Sequence, residues 1–557
     1  MQTPSWPFNE TNMNKPLDAK LFSRLFDMNL RPSDWHKDAV IYQIYPRSFQ
    51  DSNDDGVGDI PGITQRLDYL KDLGVDTIWL SPFFKSPMKD FGYDVSDYCD
   101  VDPLFGTLAD FDHMVQQAHA RGLRVVIDQV LSHTSDQHPW FVESRSSRNN
   151  PKAHWYVWAD AQPDGSPPNN WLSIFGGSGW QWDTRRKQYY LHNFLAEQPD
   201  LNFHEPEVQD ALLATMKFWL DRGVDGFRLD TVNYYFHSQG LENNPPNADM
   251  LARPALQRSH NVYDHQSHQF DKSQPENLVW LSRMRTLCNE YNAILLGEIG
   301  CDRQIERMLE YTSGSDRLHT AYSFALMASE FSADYIRNTV QPFVPKQHDT
   351  WPCWALANHD VKRLASRWTH SGEAPQAALE AFAVMQMTLP GTPCLYQGDE
   401  LGLTEAELKF EDLVDPPGIT FWPEYKGRDG CRTPMVWDST DVQAGFSTVK
   451  PWLPVAPEHL PKAVKEQVNQ TDSLLAFYQK LLRWRAANSV CRLGEFTFTG
   501  AHPQVLEYTK TLGDRVLTVQ INLSEKPASL TTPKVGELVI GEASDVLQAW
   551  GYRLFCN

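Results

Sequence analysis

Three stretches of this chain repeat one unit, an amphipathic helix, a glycine and a short apolar run ending in polar residues, and few folds accept that unit. Ile63, Leu67 and Leu70 recur at helical spacing before Gly74 and Thr77-Ile78-Trp79-Leu80. Phe111, Met114, Val115 and Ala118 precede Gly122 and Arg124-Val125-Val126-Ile127-Asp128. Pro206, Val208, Leu212, Met216, Trp219 and Leu220 precede Gly223 and Gly226-Phe227-Arg228-Leu229-Asp230. Each glycine suits a helix C-terminus that needs positive φ, and Pro206 suits a first helical turn. Helices alternating with buried strands predict a parallel α/β sheet, either open or closed. Eight strands are expected: 40–45, 77–80, 124–128, 226–230, 294–298, 321–324, 354–357 and 393–396. Eight is the number of a closed (β/α)8 TIM barrel. The open, doubly wound alternative lacks a G-x-G-x-x-G opening a helix after the first strand.

The barrel is interrupted. About 95 residues separate strands three and four, too many for a simple loop, so residues 133–203 are expected to form an inserted subdomain within a barrel made of 35–132 and 204–490. Irregular segments at 238–274 and 399–457 follow strands four and eight. After a helix over 472–487 the pattern changes to alternation in Phe496-Thr497-Phe498-Thr499, Val505-Leu506-Glu507-Tyr508 and Arg515-Val516-Leu517-Thr518-Val519, with turns at Gly500 and Gly513-Asp514. Residues 491–557 are therefore expected to form a small antiparallel β domain. Residues 1–34 read as an N-terminal extension without an export signal.

With 71 acidic and 50 basic residues and a net charge of −21, nucleic acid and anionic membranes are poor partners, and a neutral or cationic small molecule fits better. No window approaches the roughly 18 apolar residues of a membrane span. The eight cysteines are scattered without a C-x-x-C pair, so a reduced, cytoplasmic setting is the simplest expectation. The sequence sets no oligomeric state.

Acids stand at three strand ends: Asp230 after strand four, Glu298 after strand five and Asp360 just beyond strand seven. Each has a bland reading as a helix cap or an ion pair, but in a closed barrel these ends converge. Arg228 lies on the same strand face as Asp230 and should favour its ionised form, which leaves Glu298 as the expected proton holder. A nucleophilic carboxylate facing a protonated one is the arrangement of a retaining glycosidase.

On Asp128 to His133, Gly226 to Asp230, Gly297-Glu298, Asn358-His359-Asp360, Gln198-Pro199-Asp200-Leu201-Asn202 and Gly427 to Pro434, the chain over 36–557 resembles glycoside hydrolase family 13, the α-amylase family, and within it the bacterial α-glucosidases and oligo-1,6-glucosidases. The resemblance implies Asp230 as nucleophile, Glu298 as acid/base and Asp360 as transition-state stabiliser. It also implies a pocket for one nonreducing-end glucose at Asp90, Tyr93, His133, Arg228, His359 and Arg428, with Phe175, Phe194 and Gln198 nearby. The two phenylalanines read equally as subdomain core, and Arg432 either lines the site or braces its loop. Members that favour α-1,6 bonds tend to have Val after the nucleophile, where this chain has Thr231, so the expected substrates are short α-1,4 glucosides such as maltose, with α-1,3 disaccharides or sucrose besides. A transglucosidase or sucrose-converting enzyme is the alternative within the fold, and a non-catalytic sugar-binding or partner subunit the alternative outside enzymes.

One further signal is Asp51-Ser52-Asn53-Asp54-Asp55-Gly56-Val57-Gly58-Asp59, which begins like an EF-hand loop but has Gly62 at the twelfth position. A fixed structural Ca²⁺ or Mg²⁺ on Asp51, Asn53, Asp55, the Val57 carbonyl and Asp59 is expected, and the resemblance supports it. An acidic turn without metal is the other reading. No organic cofactor is expected.

Overall fold

The computed structural model describes residues 34–254, 257–368, 372–530 and 536–557, so the expected N-terminal extension lies outside the described residues except for Asp34. Eight strands form one parallel sheet: β1 (Ile41–Ile44), β2 (Thr77–Leu80), β3 (Arg124–Gln129), β4 (Gly226–Leu229), β5 (Ile294–Ile299), β6 (Thr320–Ser323), β7 (Cys353–Ala355) and β8 (Thr392–Tyr396). They are hydrogen-bonded in the order β6-β5-β4-β3-β2-β1-β8-β7. A parallel bridge from Ala321 to Pro352 joins β6 to the approach to β7 and closes the sheet into a barrel.

Two-residue alternation divides the strands between two cores. Ile41, Trp79, Val126, Ile294, Leu296, Tyr322, Cys353, Ala355 and Cys394 fill the barrel interior. Tyr42, Ile78, Leu80, Val125, Ile127, Phe227, Leu229 and Leu295 pack outward in the larger cluster with the surrounding helices. At Gly226 an added Cβ would stand 2.6 Å from Ile294 Cγ1 and 2.7 Å from the Ile294 carbonyl oxygen, so this inward position takes only glycine. The helix-ending glycines Gly74, Gly122 and Gly223 all take positive φ, as the repeated unit predicts.

Small departures from the expected elements have local causes. Strands β6 and β7 each begin one residue early and end early; β6 stops at Ser323 because Phe324 opens a 3-10 turn (Phe324–Met327). The expected helix before Gly74 breaks at Arg66 into Ile60–Gln65, capped by Asp59, and Leu67–Leu73.

The insertion after β3 carries a three-stranded antiparallel sheet of Trp158–Ala159, Trp180–Asp183 and Gln188–Leu191, with Val157, Trp171, Trp180 and Leu191 at its core. The segments after β4 and β8 are irregular backbone with short helical turns such as Val262–His265 and Pro416–Thr420. A helical turn (Ser489–Leu493) precedes the C-terminal sheet, so β structure starts at Glu495. That sheet is antiparallel and includes two strands beyond the expected three, Glu537–Gly541 and Tyr552–Cys556. Among the described residues no helix is long and apolar enough to cross a membrane, and all eight cysteines are free.

Candidate active site

Register places the chemistry. Asp128 on β3 is paired directly with Arg228 on β4, and Gly297 on β5 with Leu229, so one residue further Glu298 and Asp230 stand side by side at the C-terminal mouth. Glu298 is in turn paired with Tyr322 on β6. Alternation turns Asp128, Arg228, Glu298 and Tyr322 into the barrel.

Arg228 is completely buried and organises this half of the site. Its Nη1 donates to Asp128 Oδ1 and Oδ2 at 2.8 and 2.9 Å and to Asp230 Oδ1 at 2.7 Å, and its Nη2 meets Glu298 Oε1 at 2.6 Å. Trp79 Nε1 and Tyr93 OH complete the shell of Asp128. One cation thus serves three carboxylates. Burial lifts all three against its pull, Asp128 to about 6, Asp230 to about 7 and Glu298 to about 7. This corrects the expectation that Arg228 favours ionised Asp230 in particular, since the guanidinium grips both acids. Burial raises both carboxyls of the Asp230–Glu298 pair and each raises the other, so the two titrate together.

Asp230 has one oxygen occupied and one nearly free. Oδ1 lies on Arg228, and Oδ2 accepts only a 3.3 Å bond from Thr231 Oγ1. Thr231 has φ +43°, which strains a β-branched residue, and in that conformation its N–H donates to Glu298 Oε2 at 3.0 Å.

The opposite wall is rich in cations. Asp360 Oδ1 accepts from Arg428 Nη1 at 3.1 Å and Arg432 Nη2 at 3.0 Å. Burial raises its pKa, but His359, Arg428 and Arg432 outweigh burial and hold the carboxyl well below the usual range. The 3.3 Å contact of His359 Nε2 with Asp360 is not an ion pair, because burial lowers the imidazole to about 3; the two guanidiniums are the effective partners. Arg428 also reaches Asp90 Oδ1 at 2.9 Å and Asp415 Oδ1 at 2.7 Å. Asp415 is held low after burial is overcome by Arg428 and Arg432, whereas burial keeps Asp90 up at about 6. Arg432 is 1% exposed and also donates to the His359 carbonyl, so it braces Asp360 from behind.

These walls enclose a pocket of about 600 Å³, within the range of small-molecule sites. Asp90, Tyr93, His133, Phe175, Phe194, Gln198, Asp230, Thr231, Glu298, Asp360 and Arg428 line it as expected. Arg228 and His359 lie beneath the lining, where His359 stacks on Tyr93 at 5.4 Å and 3°. Gln198 Nε2 bonds Asp90 at 3.2 Å, and His133 Nε2 bonds the Tyr93 carbonyl at 3.0 Å; burial lowers His133 to about 4, so it is neutral. Sequence reasoning missed the outer wall of Ser259, His260 and Asn261 after β4 and of Phe421, Glu424 and Tyr425 after β8. Their positions at strand-end insertions were the available signal.

The expected metal loop lies apart from this lining. Asp51, Asn53 and Asp55 each accept backbone N–H bonds from residues further along the loop, and Asp59 accepts from Ser52 and Gly62. The donor set is all oxygen, the ligand type of a hard divalent cation, but both oxygens of Asp51 already accept two hydrogen bonds each, from Asn53, Asp54, Gly56 and Ser447. Among the described residues no group of three His, Cys, Asp or Glu side chains is drawn together as a metal site.

A family model described as "Alpha amylase, catalytic domain" matches residues 43–494. The chain belongs to the α-amylase family of glycoside hydrolases. A "Probable alpha-glucosidase" of Rhizobium meliloti (strain 1021) is 51% identical over 530 residues, covering 93% of this chain and 96% of that protein. An "Oligo-1,6-glucosidase" of Parageobacillus thermoglucosidasius is 36% identical over 568 residues, covering 94% and 98%. The solved structure of "alpha-glucosyl transfer enzyme, XgtA" superposes with a TM-score of 0.90 at 51% identity, covering 94% of this chain and 99% of that one. This α-amylase family member is therefore an enzyme with relatives that act on α-glucosidic bonds by name.

Proposed function

We propose that the protein is a retaining, exo-acting α-glucosidase that removes glucose from the nonreducing end of short α-glucosides. The observation that carries this is the pairing of Asp230 and Glu298 on adjacent strands, clamped to one guanidinium, with Asp230 Oδ2 left available. Asp230 Oδ2 attacks the anomeric carbon while Glu298 gives its proton to the departing oxygen. Glu298 then takes a proton from water, which displaces Asp230 and restores the anomeric configuration. Asp360, ionised on two arginines, holds sugar hydroxyls and the developing positive charge. Attack at chain ends is supported by burial: Asp90, His133 and Gln198 are buried polar groups at the base, and Glu424 and Tyr425 are exposed at the rim.

Thr231 supports a maltose-type preference within this reading. The test is turnover on maltose, isomaltose, nigerose and sucrose with the product anomer followed by NMR; isomaltose turned over faster than maltose would overturn the preference, and an initial β product the mechanism. Transfer of glucose to another alcohol is the second reading, favoured by the 51% likeness to a named glucosyl transfer enzyme. Products longer than the substrate, exceeding free glucose at millimolar maltose, would establish it.

A structural Ca²⁺ or Mg²⁺ in the 51–59 loop belongs to the same proposal, supported by the oxygen donor set. Chelator should lower the melting temperature by several degrees and added Ca²⁺ restore it, whereas an unchanged melting temperature with no metal by elemental analysis would remove the site. Eight free thiols support a cytoplasmic location.

A further inference from the structure

We propose that Tyr322 is a positioning residue for the acid/base, donating a hydrogen bond from its hydroxyl to Glu298 and so setting the charge balance of that carboxyl group. The inference rests on the acid/base role proposed above for Glu298. Tyr322 is fully buried and does not line the pocket, so it acts through Glu298 and not on substrate.

The direction of the hydrogen bond follows from counting donors. Tyr322 OH lies 3.1 Å from Arg228 Nε and 2.9 Å from Nη2. Guanidinium nitrogens only donate, so both bonds enter the phenol oxygen and occupy its acceptor capacity. Its single proton then has Glu298 Oε1 to go to, at 3.1 Å. The polarity is fixed without reference to any placed hydrogen. Glu298 therefore accepts at Oε1 from Tyr322, beside its ion pair with Arg228, and at Oε2 from the Thr231 N–H.

This arrangement is built into the barrel. Glu298 and Tyr322 are direct partners in the β5–β6 ladder, and the phenol ring packs on Trp79 at 5.9 Å. Charged and titratable groups face Glu298 from every neighbouring element: Arg228 and Asp230 at β4, Asp128 at β3, Asp360 beyond β7 and Tyr322 on β6. Burial and the nearby carboxylates push Glu298 towards its neutral form. Tyr322, with Arg228 and Thr231, supports the charged form that must exist after proton donation and before water is activated. Without the phenol, the anion would be harder to form, and proton donation to a poor leaving group would slow.

The experiment compares Tyr322→Phe with 3-fluorotyrosine incorporated at position 322, which keeps the shape and makes a more acidic donor. For Tyr322→Phe the alkaline limb of kcat/KM should move up by about 1 pH unit, the change for losing one bond to a charged group. On maltose kcat should fall about tenfold with KM within about twofold, and the loss should shrink on an aryl glucoside whose leaving group needs little protonation. The fluorotyrosine protein, folded like the parent, should move the limb the opposite way. An unmoved limb, equal losses on both substrates, or displacement of both variants in one direction would overturn the inference. Glu298→Gln separates it from the underlying assignment: if that variant keeps the alkaline limb, Glu298 is not the acid, and if it loses the limb while Tyr322→Phe leaves it in place, only the role of Tyr322 fails.

Discussion

Two groups of three carboxylates face each other across the pocket, and they differ in their supply of cations. Asp128, Asp230 and Glu298 share Arg228; Asp90, Asp360 and Asp415 share Arg428, with Arg432 behind Asp360. Burial is severe on both sides. With one guanidinium the acids rise to about 6 or 7, and with two Asp360 stays ionised. Asp90 bonds Arg428 and Gln198, and although Arg428 and Arg432 both pull it down, burial still lifts it to about 6. Depth and cations thus act together: Asp360, the most exposed of the six side chains at 22%, is also bonded directly by two arginines.

The most drastic way to break this contrast is Asp230→Asn, which removes the proposed nucleophile. Hydrolysis should fall on the order of 10⁴-fold or more, measured as glucose released from maltose, and residual turnover near the parent level would remove the assignment. Arg228→Met should come next. It leaves three buried acids without their cation, so beyond lost activity the fold should lose about 3–5 kcal/mol in denaturant titration.

The contrast sharpens when stability is followed against pH. Glu298 has a folded pKa raised above its unfolded value, so its stabilising contribution is complete below about 4 and is lost as pH rises through about 7. Glu298→Gln should therefore gain stability relative to the parent at pH 8 compared with pH 5, by about 1–3 kcal/mol. Asp360 has the opposite sign. Its depressed pKa stabilises the fold above about 4, a contribution lost only as pH falls through the lower folded value, so Asp360→Asn should destabilise at pH 7 and lose most of that penalty near pH 2. Melting curves at the two ends of each range test both, and equal signs for the two variants would break the comparison. The smallest expected effect is Thr231→Val, which keeps the backbone donor to Glu298 but removes the hydroxyl near Asp230. It should change kcat/KM on maltose less than tenfold and raise the isomaltose to maltose ratio.

Much of this site was legible because alternation is a local property. Arg228 and Asp230 two residues apart, alternating with Phe227 and Leu229, sufficed to place a cation and an acid on one face, and the strand-end positions of Glu298 and Asp360 sufficed to bring them together once eight strands were counted. What alternation does not carry is register between strands. That Asp128 faces Arg228, that Glu298 faces Tyr322, and that Arg228 reaches Glu298 as well as Asp230 all depend on stagger around the barrel. The outer pocket wall lies in segments without periodicity, where Ser259 or Tyr425 has no pattern to mark it. The last two strands of the C-terminal sheet are short, and one contains a register shift between Leu538 and Ile540, which obscures alternation.

The closure of the barrel has a consequence of its own. Neighbouring strands elsewhere share three or more residue pairs, whereas β6 meets the approach to β7 at Ala321 and Pro352. Mechanically the cylinder has a slit, and the residue beside Ala321 is Tyr322. On the slit side, among the described residues, no ladder steadies β6, so the placement of the phenol against Glu298 rests on the β5–β6 ladder, where the two residues are paired directly.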